Sequence, residues 1–149
     1  MAPDTAHTPH AQNQLDDLLT GLVQVVADVR HAVIVAQDGL VISRSTSFSR
    51  AAAERLAAAV SGVMSLSRGI SDDTKGGRVL QTLIEMQNGF LMLSSASSGS
   101  HLAVLTIREA DIGIVAFEMN MLVKKLGALL TTQPRVWRPA TGADGASSR

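Results

Sequence analysis

The chain has 149 residues, with 13 basic and 13 acidic side chains, 46% hydrophobic residues and no cysteine. This length suits one domain with tails, large enough to bury most of its unfolded surface. Zero net charge argues against a protein that binds nucleic acid or inserts at an anionic membrane, because no excess of cations is present to displace counterions. The lack of cysteine excludes disulfides, thiol nucleophiles and zinc sites built on thiolates.

The two ends differ in composition from the middle. Residues 1–13 are polar, without the apolar core of a secretory signal, and residues 133–149 are rich in Pro, Gly, Ser and Ala. We expect both to be flexible around a folded domain at 14–132, because neither can bury enough apolar surface. Trp137 is open to two interpretations, a docking anchor or packing onto its own domain. No apolar stretch is long enough to cross a bilayer, so we expect a cytoplasmic protein.

The first half of the domain predicts a helix, a hairpin and a second helix. Apolar residues recur at helical spacing from Leu15 to Val29. Two apolar runs, 32–36 and 40–43, flank Asp38-Gly39, which predicts a tight hairpin because both turn residues must accept positive φ. Ser49 is placed to cap a helix that begins at Arg50 and ends at Gly69.

The second half predicts three strands and a last helix. A loop at 72–77 precedes a strand at 79–86, a turn at Asn88-Gly89 and a strand at 90–93. A polar loop leads to a strand at 102–105, and Asp111 is placed to cap a helix that runs to Leu130. The pattern predicts an α+β fold with a five-stranded, largely antiparallel sheet. Because strands 32–36 and 102–105 are apolar on successive residues, both faces need cover, the middle helix on one and two helices on the other.

Two features exceed the needs of a monomer. The strand at 79–86 is expected at a sheet edge, and it carries neither the proline nor the lysine that would discourage pairing with another chain. The middle helix is small or apolar on a second face, at Ala52, Ala59 and Leu66, where another helix can approach closely. Pairing of this edge and of the middle helix between two copies predicts a twofold dimer.

The sequence offers no assembled catalytic or metal-binding constellation. The four histidines lack ligand spacing, residues 75–77 lack the phosphate-loop arrangement, and the serines of 94–100 lack a nucleophile elbow. We therefore predict a non-enzymatic protein without cofactor or metal. The four histidines are His7, His10, His31 and His101. The arginines of the middle helix form either a solvated face or a contact for an acidic partner, and both interpretations stay open; they are Arg50, Arg55 and Arg68.

The order of elements and several short strings resemble the Roadblock/LC7 family. The resemblance is strongest to a bacterial branch encoded in operons beside a small Ras-like GTPase and a sensor-kinase-like protein, and it covers Leu15 to Leu130. The strings that carry it are HAVIV at 31–35, DGL at 38–40, AERLAA at 53–58, SG at 61–62, SL at 65–66, VLQTLIEM at 79–86, GFL at 89–91, LAVL at 102–105, DIG at 111–113 and FEM at 117–119.

The resemblance implies a profilin-like sandwich whose two protomers join their sheets edge to edge. It also implies that the homodimer is a platform or regulator for a small Ras-like GTPase and has no active-site residues of its own. A sensor-kinase-like membrane protein is a further implied partner, which would recruit the complex to the inner membrane face. The implied dimer interface comprises Ala52, Ala59, Leu66, Val79, Gln81, Leu83 and Glu85. The implied partner surface comprises Arg50, Glu54, Arg55, Ser61, Ser65 and Arg68.

Two other functions compete with this hypothesis. A small-molecule sensory module is conceivable on such a sheet, although a chain with 3% aromatic residues and no tyrosine offers little to line a pocket. A hydrolase that uses a serine of the 94–100 loop lacks an evident base. A ligand would reveal itself by thermal stabilisation, and a reactive serine by labelling with a fluorophosphonate.

Overall fold

The computed structural model describes residues 9–131 and contains three α-helices and five β-strands in that range. Residues 1–8 and 132–149 lie outside the described part, as do Trp137 and the tail expected at 133–149. In chain order the elements are α1 (Pro9–Val25), β1 (Val29–Val35), β2 (Val41–Arg44), α2 (Arg50–Thr74), β3 (Gln81–Met86), β4 (Gly89–Ser95), β5 (His101–Thr106) and α3 (Ile112–Thr131), with a short 3₁₀ turn at Ser97–Gly99.

The strands form one open sheet in the order β2-β1-β5-β4-β3, and every neighbouring pair is antiparallel. The predicted element order and sheet type are confirmed. β3 pairs with β4 along one side, from Gln81 opposite Ser94 to Met86 opposite Gly89, and has no strand on its other side. The expected position of this strand at a sheet edge is therefore confirmed.

Helices cover both faces of the sheet in the predicted one-plus-two arrangement. Because side chains alternate between faces along a strand, Val33 and Val35 pack beneath α2, whereas Ala32 and Ile34 pack against α1 and α3. The α2 side of the core contains Ala53, Ala57, Val60 and Met64, all buried. Within residues 9–131, no helix combines the length and the apolarity needed to cross a membrane.

Three helix boundaries differ from the prediction. Helix α1 begins at Pro9, so residues 9–13 are helical where a flexible segment was expected, and it ends at Val25, leaving Val29 to open β1. Helix α2 passes Gly69 and continues to Thr74, which shortens the loop expected at 72–77. Glycine permits a helix end but does not force one, and the cap is instead Lys75, in the left-handed conformation with φ 58°.

Both predicted hairpins exist, but neither uses the turn that the glycine dipeptides indicated. In the first, Gly39 donates its N–H to the Ala36 carbonyl at 2.9 Å and is the residue with positive φ, 90°, whereas Asp38 is not left-handed. In the second, Met86 pairs directly with Gly89, so the turn is Gln87-Asn88 and neither residue has positive φ. Gly89 serves a close approach instead, because a Cβ there would lie 2.2 Å from the Thr106 carbonyl oxygen.

Candidate interaction surface

The free side of β3 is an exposed row of backbone groups. Within the described residues, no group outside the β3–β4 ladder hydrogen-bonds to the backbone of residues 81–86. Side chains along the strand are exposed or half-buried, and Leu83 is 47% exposed. We call residues 81–86 the bare edge. Such an edge is a template for pairing with another strand unless something protects it.

Helix α2 presents an apolar strip on the side that faces this edge. An α-helix turns about 100° per residue, so Ala59, Val63, Leu66 and Ile70 share one side of it. Leu66 is 73% exposed and Ile70 64% exposed, values that a large apolar side chain reaches only where its own subunit does not cover it. We call these four residues the apolar flank.

Contacts at the two sides of α2 fix its orientation over the sheet. Near the apolar flank, Ser67 Oγ lies 3.5 Å from Thr82 Oγ1 of β3, and the same Thr82 hydroxyl lies 3.9 Å from Met64 Sδ. On the opposite side, Ser61 Oγ donates to the Gln37 carbonyl of the β1–β2 loop at 3.3 Å. The apolar flank therefore lies toward the bare edge, and the polar side lies toward the β1–β2 hairpin.

The structure brings most of the expected interface residues together. Ala59 and Leu66 belong to the apolar flank, and Gln81, Leu83 and Glu85 are exposed members of the bare edge. Ala52 and Val79 are instead half-buried and pack against the core beneath α2. Val79 also precedes β3, which begins at Gln81, so it contributes no rung to the edge.

The expected partner-surface residues divide between two parts of α2. Arg50, Glu54, Ser61, Ser65 and Arg68 share the polar side, which we call the polar flank, whereas Arg55 lies on the outward crest between the two flanks. All are exposed except Ser61, which is half-buried. Arg50 and Glu54 line a cavity of about 460 Å³ with β2 and α1, and Glu54 and Ser61 line one of about 650 Å³ with the β1–β2 loop. The polar flank is thus the wall of a cleft.

Three exposed apolar side chains beside the expected interface were missed. Ile70, Leu80 and Met86 are respectively 64%, 68% and 45% exposed at the bare edge and the adjoining part of α2. Ile70 follows Leu66 by four residues, and this helical spacing was the available signal. It was overlooked because the helix was expected to end at Gly69.

The described residues were predicted to lack metal-ligand spacing, and their side chains are placed as follows. In the range 9–131, no group of three or more His, Asp or Glu side chains is placed to hold a metal ion. His31 stacks on Phe48 with ring centroids 4.5 Å apart, and its Nδ1 lies 3.0 Å from Ser47 Oγ. Burial first, and then the nearby Arg30, lower the pKa of His31, so its ring is a neutral packing group at pH 7.

Comparisons with known proteins agree with this fold. The Roadblock/LC7 domain model matches residues 15–106. A Roadblock/LC7 domain from Streptomyces avermitilis is 41% identical with a TM-score of 0.75, over 78% of this chain and 98% of that chain. A second Streptomyces avermitilis Roadblock/LC7 domain is 55% identical with a TM-score of 0.64, over 75% and 97% of the respective chains.

MglB from Myxococcus xanthus is a more distant structural relative. It is 14% identical with a TM-score of 0.74, over 80% of this chain and 96% of that chain, a likeness of fold alone. No curated protein sequence matches the chain. The family model matches more than half of the chain, and a solved Roadblock/LC7 domain matches at high identity over nearly its whole length. The chain belongs to the Roadblock/LC7 domain family.

Proposed function

We propose that this protein is a homodimeric, non-enzymatic adaptor or regulator of a small Ras-like GTPase. The observation that carries the proposal is the bare edge of β3 beside the apolar flank of α2, two unsatisfied surfaces on one side of the subunit. Pairing of two copies through both features covers the exposed backbone groups and the side chains of Leu66 and Ile70 together. A stable interface of ordinary size buries about 800 Å² per partner, which a strand and a helix side can supply.

Self-association of this kind is isologous, because each copy offers the same edge and the same flank. Two β3 strands that pair antiparallel about a twofold axis would extend the five-stranded sheet across both subunits. The two α2 helices would then lie side by side on one face of the joined sheet. A related solved structure, 13% identical to this chain, is described as MglB with a tetrameric arrangement, so self-association occurs in a protein of this fold.

The paired helices form the proposed docking platform. Their crests carry Arg55, and their polar flanks carry Arg50 and Glu54 above the cleft along the β1–β2 hairpin. Exposed arginines suit an acidic patch on the GTPase, with their largest effect on the association rate. The platform regulates the GTPase only to the extent that it binds one nucleotide state better than the other. A sensor-kinase-like membrane protein is the proposed recruiter of the complex.

The dimer is tested by sedimentation velocity of the full chain and of a Leu66→Lys/Leu83→Lys variant. The wild type is expected to sediment as a dimer at micromolar concentration, and the variant as a monomer, because one lysine places a charge in the apolar flank and the other places a charge on the pairing strand. Val25→Lys is the matched control, since Val25 is 77% exposed on α1 and far in sequence from both surfaces. A monomeric wild type, or a dimer that survives both lysines, overturns the proposal.

The GTPase role is tested with a small Ras-like GTPase from the same genome, loaded with GDP or with a non-hydrolysable GTP analogue. Biolayer interferometry is expected to show tighter binding of one loaded state, and Arg55→Glu to weaken it about tenfold, in line with reversal of a contact charge. Lys124→Glu, an equal charge change on the exposed side of α3, serves as the control. Equal affinity for the GDP-loaded and the GTP-analogue-loaded GTPase would exclude regulation through the nucleotide state. Unchanged binding by Arg55→Glu would show that the GTPase does not dock on the crest of α2.

A further inference from the structure

A third cavity lies where the C-terminal end of α2 meets the start of β3, the end of β4 and the start of β5. Its volume is about 520 Å³, within the range of small-molecule sites. The side chains that matter to its chemistry are Arg68, Asp72, Lys75, Arg78, Ser95 and His101. All of them come from one chain.

The cavity carries an excess of positive charge that nothing in the described structure neutralises. Arg68, Lys75 and Arg78 line it together with a single carboxylate, Asp72. Within residues 9–131, none of these three cations has an ion-pair or hydrogen-bond partner. Like charges that converge on one concave site raise the local positive potential and attract a counter-ion.

The end of α2 does not supply the missing negative partner. Two carbonyls of its last turns already accept bonds from the chain itself, and the Lys75 and Gly76 N–H groups both donate to the Ser71 carbonyl, the second at 2.9 Å. Thr74 Oγ1 donates to the Ile70 carbonyl at 2.8 Å, and Ser71 Oγ donates to the Gly77 carbonyl. The left-handed cap at Lys75 turns the chain from α2 toward Arg78, which places both cations at the cavity.

His101 provides a second and independent sign of a ligand. It pairs with Val35 and Ser95 in the sheet and lies on the face beneath α2, two residues before Ala103 of that core. Its side chain is only 5% exposed, yet its buried Nδ1 has no hydrogen-bond partner. Buried polar atoms almost always have partners, so an unpartnered nitrogen on a residue that lines a cavity calls for an explanation.

The ring of His101 is poised to respond to an anion. Burial, and after it the guanidinium of Arg68, lower the pKa of His101, so the imidazole is neutral at pH 7. The other charged groups that line the cavity with it are Asp72, Lys75 and Arg78. A bound anion would offset the charge of these cations and favour a proton on the imidazole.

We propose that this cavity binds the phosphate group of a small molecule. Three cations against one carboxylate leave a formal excess of two positive charges, which matches a phosphate dianion. Arginine presents a fork of donors that suits the oxygens of phosphate, and lysine serves as a point charge. The cavity holds more than phosphate alone, so a phosphorylated metabolite is the ligand class.

The test is isothermal titration calorimetry of the full chain with inorganic phosphate, at constant ionic strength set by sodium chloride. Saturable binding of phosphate is expected, with none for chloride beyond the baseline. Lys75→Gln/Arg78→Gln is expected to bind phosphate about tenfold more weakly or worse. Lys124→Gln/Lys125→Gln removes the same charge from exposed positions of α3 and is expected to bind as the wild type does.

Two further readouts separate the outcomes. NMR of the His101 ring, with sulfate as an anion that stays doubly charged, is expected to show its pKa rising on binding, because the anion favours the imidazolium. The monomeric Leu66→Lys/Leu83→Lys variant is expected to keep phosphate binding, so failure of the dimer and failure of this site are distinguishable. The proposal is overturned if phosphate shows no saturable binding. It is also overturned if Lys75→Gln/Arg78→Gln and Lys124→Gln/Lys125→Gln bind phosphate equally, or if succinate binds more tightly than phosphate.

Discussion

The two edges of the sheet differ in how they are protected. β2 is a short strand of four residues, and α1 contacts it through hydrogen bonds. Gln12 Nε2 of α1 donates to the Ile42 carbonyl at 2.9 Å and to Asp16 Oδ1 at 3.1 Å. Ser43 is buried and donates to the same Asp16 carboxylate. β3 has six residues and no comparable side chain along its free side in the described structure.

This difference supports our proposal that the subunit self-associates through the β3 edge and not through the β2 edge. A short edge strand that is bonded from the side by a helix is a poor template for a second chain, whereas a longer bare strand is a good one. The apolar flank of α2 lies on the same side as the bare edge, and in the proposed dimer this arrangement would make the pairing specific. Variants at the β3 edge with α2 and at the β2 edge with α1 test this comparison.

The largest effect is expected where α2 is anchored above β3. Met64 is 1% exposed and joins the core beneath α2, so Met64→Ala leaves a cavity and is expected to lower the free energy of unfolding by about 2–5 kcal/mol. Urea denaturation in the Leu83→Lys background, at a protein concentration low enough for the weakened dimer to dissociate, removes the contribution of association. Leu66→Ala in the same background is expected to change stability by less than about 0.5 kcal/mol. Similar losses in the two variants would contradict the assignment of inner and outer sides to α2.

The next effect concerns association at the two edges. Leu83→Lys alone is expected to weaken dimerisation about tenfold or more, since the added charge must be desolvated in the pairing strand. Leu40→Lys, at a residue 66% exposed in the β1–β2 loop, is expected to leave the dimer unchanged. Equilibrium sedimentation over a concentration series gives both constants. A larger effect of Leu40→Lys would mean that the subunit pairs through the β2 side.

A smaller effect is expected where α1 protects β2. Gln12→Ala removes the bond to the Ile42 carbonyl and is expected to cost about 1 kcal/mol of stability, as one partly buried hydrogen bond does. Thermal unfolding monitored by circular dichroism measures this change. Gln14→Ala, an exposed glutamine on the same helix, serves as the control. Equal thermal stability of Gln12→Ala and Gln14→Ala would show that the Gln12 hydrogen bond does not stabilise this edge.

The smallest effect is expected from pH. The pKa values of His31 and His101 are both lowered in the folded chain, so the unfolded chain binds protons more readily. Stability is then fully present above about pH 6.5 and is lost as the pH falls through the folded-state pKa values. Melting temperatures are expected to fall between about pH 7 and pH 5.5, and less so in His31→Gln/His101→Gln. A melting temperature that rises on acidification would contradict the sign.

Local patterns in the sequence were sufficient to predict the elements and their layers. Successive apolar residues in β1 and β5 indicated a sheet covered on both faces, and an apolar β3 without proline or lysine indicated a free edge. The end of α2 was not predictable in this way, since Lys75 adopts a positive φ that Gly69 would have taken at lower cost. Long-range contacts were also out of reach: nothing near His101 in the sequence indicates that Arg68 and Arg78 meet it at one cavity.

The absence of a side chain at Gly89 has a consequence for how the β3–β4 ribbon is held. Any Cβ there would collide with the Thr106 carbonyl oxygen, while Phe90 N–H donates to Thr106 Oγ1 at 3.3 Å, so the hairpin rests against the end of β5 through main-chain contact. Backbone packing of the hairpin against β5 therefore contributes to the tilt of the outermost strand, together with the contact of Thr82 with α2. A side chain at position 89 would push the hairpin away from β5 and so change the angle at which the bare edge is presented.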